Sequence, residues 1–182
     1  MPLASQAAVS GSTHDFSGRG WGTTEICIFC HTPHSATSTQ LAPLWNHASS
    51  AATYTLYSST TLNAAPGQPA GASKACLSCH DGTVAIDSYG TRTGANNISG
   101  SPLIGSDLSN DHPVSFTYDA TLATADGGLV TPASGTQVVA GIPLFNSKVE
   151  CASCHQVHNN GLGNFLRVSN AGSALCLKCH NK

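Results

Sequence analysis

The sequence predicts a mostly coil chain with short helices at four repeated motifs and one small β-hairpin. Three observations predict it. All eight cysteines among the 182 residues fall in four copies of Cys-x-x-Cys-His: Cys27 to His31, Cys76 to His80, Cys151 to His155 and Cys176 to His180. Charged residues make up only 9% and aromatic residues 6%, against roughly 25% charged in an average soluble domain. Small residues fill the gap, and they suit loops better than long helices or a regular sheet. Finally, 129–149 alternates apolar residues with turn signals and follows Asp126-Gly127-Gly128, which reads as a hairpin. Ser73 and Ser173 stand just ahead of the second and fourth motifs, where an N-cap is expected.

Cys-x-x-Cys-His is the attachment signature of c-type haem: two thiols form thioethers and the adjacent imidazole reaches the iron. The expected thioether residues are Cys27, Cys30, Cys76, Cys79, Cys151, Cys154, Cys176 and Cys179, and the expected proximal ligands are His31, His80, His155 and His180. Disulfides or zinc knuckles are the competing readings of such cysteines. Neither explains a histidine after the second cysteine four times over. A thioredoxin-like site would need one such pair in a βαβ setting. Four covalent haems imply the fold class of a multihaem cytochrome c, with a haem stack as the core, and an electron-transfer protein rather than an enzyme.

The chain carries a formal charge of −2, and four ferric haems with ionised propionates bring it to about −6. No stripe of basic residues exists, so nucleic-acid binding is not expected. No run approaches the roughly 18 apolar residues of a membrane span. Ser5-Gln6-Ala7 fits the small-residue end of a leader. Because haem is attached outside the cytoplasm, the protein is expected to be exported, to the cell exterior or alternatively the periplasm.

The motifs repeat in pairs. The first and third continue to a second histidine, His34 and His158. The second and fourth share Ser-x-x-Cys-Leu-x-Cys-His, and His14-Asp15-Phe16-Ser17 parallels His112-Pro113-Val114-Ser115. The chain therefore reads as a single tetrahaem domain built from two dihaem units, about 1–90 and 91–182.

Low-spin haems need a second axial ligand. The only methionine is Met1, which leaves the five remaining histidines for four distal positions. A lone histidine is more often a surface or satisfied polar residue, so the repeat serves as the criterion. It pairs His14 with His112 and His34 with His158, and leaves His47 as the spare. His34 and His158 each lie one helical turn past a proximal ligand, so each is expected to serve a haem other than its own.

Together, His14 to Ser17, Cys27 to His34, Pro43 to His47, Cys76 to Gly82, Asp111 to Phe116 and Phe165 to His180 resemble the paired Cys-x-x-Cys-His multihaem cytochromes of metal-respiring bacteria. Length and motif count are most similar to the OmcE-type tetrahaem subunits of extracellular nanowires. The resemblance implies little regular structure, a continuous haem stack, and polymerisation into a filament with one axial histidine donated between subunits. That role is carried onto His34, with Trp45-Asn46-His47 as a rival donor. It implies redox partner proteins or an extracellular electron acceptor. A soluble periplasmic electron shuttle is the alternative, favoured less because so weakly charged a surface promotes association. A reductase with an open-site haem is the third reading.

Overall fold

The computed structural model describes residues 9–36 and 41–181. Met1 and the leader-like Ser5-Gln6-Ala7 lie outside them. Regular structure is sparse: α1 (Gly71–His80), β1 (Phe116–Thr117), α2 (Ala120–Asp126), β2 (Lys148–Val149) and α3 (Cys151–Cys154), with 3-10 turns at Ser17–Arg19, Ala171–Ser173 and Cys176–Lys178. Helical backbone carries the second and third motifs, a 3-10 turn the fourth, and a run of turns the first.

Three expectations are corrected. Ser73 is not an N-cap: that position belongs to Ala70, and Ser73 lies buried inside α1, where its hydroxyl accepts the Cys151 backbone N–H at 2.9 Å. A helix–helix contact has taken the oxygen that a cap would use. Ser173 likewise sits within a 3-10 turn, at a φ of 63°. The expected hairpin across 129–149 is reduced to isolated bridges, Ser134 with Gln137, Gln137 with Pro143, and Phe145 with Lys148. The two-stranded antiparallel sheet forms instead between β1 and β2, pairing Phe116 with Val149 and Thr117 with Lys148. Nor do His34 and His158 follow their motifs on a helix, since 31–36 and 155–158 are extended or turn backbone.

Two small cores hold the coil. Phe116, Tyr118, Leu122, Val138, Ile142, Leu144 and Val149 form one, with Leu175 and Cys179 packed against it. Helix α2 covers that core because Asp119 caps its N-terminus, accepting the Leu122 N–H at 2.8 Å, and Gly127 ends it in the left-handed region at a φ of 70°. Tyr54, Leu77 and Leu108 form the second core, around α1. An aromatic cluster of Phe16, Trp21, Phe29 and Tyr89 fixes the first motif, and the Tyr89 hydroxyl donates to the Trp21 carbonyl at 2.8 Å.

The loop after α1 is braced by Asp87. Its carboxylate accepts the backbone N–H groups of Ala95 and Asn96, the Asn96 amide and the Arg92 guanidinium, at 2.9 to 3.2 Å. A Cβ on Gly94 would overlap this carboxylate, so only glycine lets the loop close. Burial by itself raises the Asp87 pKa, but the Asn96 and Arg92 donors outweigh it and hold the group down from 3.8 to about 2. A depressed carboxyl contributes stability above its unfolded value that is lost as pH falls through the folded one. Asp87→Ala is expected to destabilise the holoprotein by about 3 kcal/mol, measured by denaturant unfolding at pH 6. The deficit should shrink as the pH is lowered toward 2.

Candidate haem sites

The first three motifs place their histidines in the same way. The Nδ1–H of His31 donates to the Pro43 carbonyl at 2.6 Å, that of His80 to Pro102 at 2.8 Å, and that of His155 to Asn164 at 2.9 Å. Backbone acceptors at Nδ1 fix the tautomer that leaves Nε2 with its lone pair, the arrangement a metal-bound imidazole uses. The wrapping segments are held in turn. Asn46 donates its amide to the Ile28 carbonyl at 2.7 Å, and its N–H to Cys30 at 2.8 Å. The Ile104 N–H returns to the His80 carbonyl at 2.8 Å. Arg167 donates through Nε to the Ala152 carbonyl at 2.6 Å.

Three pairs of imidazoles face one another. His14 lies opposite His80 with ring centres 6.0 Å apart, His31 opposite His158 at 6.1 Å, and His112 opposite His180 at 6.4 Å. A separation of about 6 Å would let both imidazoles of a pair hold one metal ion. Each pair joins one motif histidine to one histidine outside the motifs. His14 Nδ1 is buried without a hydrogen-bond partner. Burial first, then the charge of His80, lowers the His14 pKa from 6.5 to about 4. Burial and then His31 lower that of His158. Both imidazoles are therefore neutral at pH 7, the form that binds iron.

The remaining histidines differ sharply. Among the described residues neither His155 nor His34 faces a second imidazole, and both rings are exposed. His47 is 1% exposed, and its ring nitrogens face the carbonyls of Ala48 at 2.7 Å and Ala85 at 3.1 Å.

The cysteines bring the motifs together in chain order. Cys30 and Cys79 are within electrostatic reach of each other, Cys76 lies against Cys151, and Cys154 is within reach of Cys176 and Cys179. No disulfide joins any of the eight. No three of His, Cys, Asp or Glu converge among the described residues as a zinc centre would need.

These surroundings fit haem. The imidazole pairs are spaced as two ligands of one metal ion would be, and large apolar side chains lie exposed beside the motif histidines: Leu44 after Pro43, Leu103 and Ile104 after Pro102, Val157 after His155. An apolar macrocycle would cover such groups. Sequence reasoning missed the carbonyl acceptors that aim the imidazoles. Their one signal is the repeated Pro-Leu at Pro43-Leu44 and Pro102-Leu103.

Residues 144–182, which span the third and fourth motifs, match the family described as the doubled CXXCH motif. No curated protein matches the chain. No helix among the described residues is long and apolar enough to cross a membrane. The match supports a multihaem c-type cytochrome that carries covalent haem c and takes part in electron transfer.

Proposed function

We propose that the chain binds four haems and serves as the repeating subunit of an extracellular, electron-conducting filament. The observation that carries the haem reading is the set of three facing imidazole pairs. In this reading three of the irons would be held by His31 with His158, His80 with His14, and His180 with His112, and His31, His80 and His180 would be the motif ligands. Bound haem supplies an iron that gains and loses one electron. The protein's own residues tether it by two cysteines, orient the imidazoles through their Nδ1 hydrogen bonds, and keep the motifs adjacent in the order one to four.

The filament reading rests on an imbalance. His155 has a motif position but no facing imidazole, whereas His34 is an exposed histidine with none. His34 of one copy completing the site of His155 in the next satisfies both. Buried His47 is held between two carbonyls and is poorly placed to reach a neighbour. Such a subunit would be exported, and its terminal partner would be an electron acceptor outside the cell.

The same exposed His155 favours a second reading, in which the third haem keeps an open coordination site, as in a reductase. Intact mass, near-infrared magnetic circular dichroism and negative-stain microscopy separate the two. Four added haem masses, only bis-histidine signals and long particles are expected for the filament. A monomer whose reduced form binds carbon monoxide would favour the open site. A monomer with four bis-histidine haems would favour the periplasmic shuttle.

A further inference from the structure

We infer that the buried carboxylate of Asp81 makes the haem carried by Cys76 and Cys79 the lowest-potential haem of the chain. The inference rests on haem occupancy of the second motif, but not on filament formation.

Asp81 directly follows His80 and is 5% exposed. It accepts hydrogen bonds from the Tyr54 hydroxyl at 2.6 Å, from the Ser50 hydroxyl, and from the Thr83 N–H and hydroxyl at 2.8 Å each. Every one of these donors is neutral. Among the described residues the ion pair joins Arg92 to Asp87, and none forms at Asp81. A carboxylate fixed in a low-dielectric interior acts over a longer range than one in water. Ferric haem carries one more positive charge than ferrous haem. A nearby buried anion therefore favours the ferric state and lowers the potential. No change in protonation is involved.

The other motifs lack this arrangement. Glu25, ahead of the first motif, is exposed, and solvent screens it. At the fourth motif the residue after the histidine is the neutral Asn181. At the third motif Glu150 is buried and accepts from Ser115 at 2.8 Å, but the Arg167 guanidinium is bound to the carbonyls of Ala152 and His155 at 2.6 and 3.2 Å and opposes it. Asp81 also closes α1, with its N–H bonded to the Leu77 carbonyl, so a purely structural role is the alternative to exclude.

The test is a redox titration of the holoprotein, followed optically and assigned to individual haems by the haem-methyl resonances. Asp81→Asn preserves shape and removes the charge. It is expected to favour the ferrous state of the second haem by about tenfold, about 59 mV for one electron, and to leave the other three in place. Tyr54→Phe removes one donor but keeps the carboxylate, and should move the same haem in the opposite direction. Asp107→Asn, at an exposed acid, should move none. The inference is overturned if the second haem is not the lowest in the parent protein, or if Asp81→Asn leaves it unmoved. It is overturned equally if both variants shift it in the same direction, which would report loosened packing rather than charge. Should Asp81→Asn fail to fold, the sign of the Tyr54→Phe shift decides. Protein lacking haem absorbance would refute the occupancy reading instead.

Discussion

His34→Ala is expected to leave a monomer in which three haems stay six-coordinate and the third, on His155, becomes five-coordinate. Two readouts move together: long particles disappear from negative-stain images, and one carbon monoxide binds per reduced chain where the parent binds none. The coupling follows from the geometry. His34 is exposed and lies outside the three pairs, so its removal disturbs no internal pair and deletes only the ligand that the proposed filament would draw from a neighbour. Mixing His34→Ala chains with His155→Ala chains should yield dimers and nothing longer, because one intact donor meets one intact acceptor. Filaments of ordinary length from His34→Ala alone would refute the donated-ligand reading.

The second large effect is expected at the buried end of the set. His14→Ala removes the imidazole that faces His80 at 6.0 Å and should convert the second haem to a high-spin, carbon monoxide-binding site, one per chain. His14 packs against Phe165 at 4.7 Å between ring centres and touches Phe16 as well. The cavity left behind therefore adds a stability loss of about 2–4 kcal/mol. His47→Gln supplies the contrast. It should leave all four haems low-spin while weakening the hold on the Ala48 and Ala85 carbonyls, visible in a lowered unfolding midpoint. A new high-spin haem in His47→Gln would mean that the wrong histidine has been set aside.

Much of the site is visible in the residues themselves. Thioether chemistry needs two cysteines and a histidine close together in the chain, so Cys151 to His155 and its three counterparts are local and readable. The helix at the second motif is similarly local. Ser73 and Ser173 show where local reasoning stops. Serine has the chemistry of a cap, yet at Ser73 the oxygen is used by the Cys151 N–H, which belongs to a segment 78 residues away. The expected hairpin failed for the same reason. Lys148 and Val149 found their partners in Phe116 and Thr117, beyond the span in which turn residues act.

Residue identity and spacing alone set the number and chemistry of the attachment motifs, the exclusion of His/Met ligation in a chain whose only methionine is Met1, and the short list of histidines open to the axial role. Folding was needed to bring each imidazole near its partner, to bury His47 between carbonyls and to seal Asp81 beside His80. Each of these is a distance between segments far apart in sequence, set by how two small cores and the α1–α3 contact fold the coil back on itself.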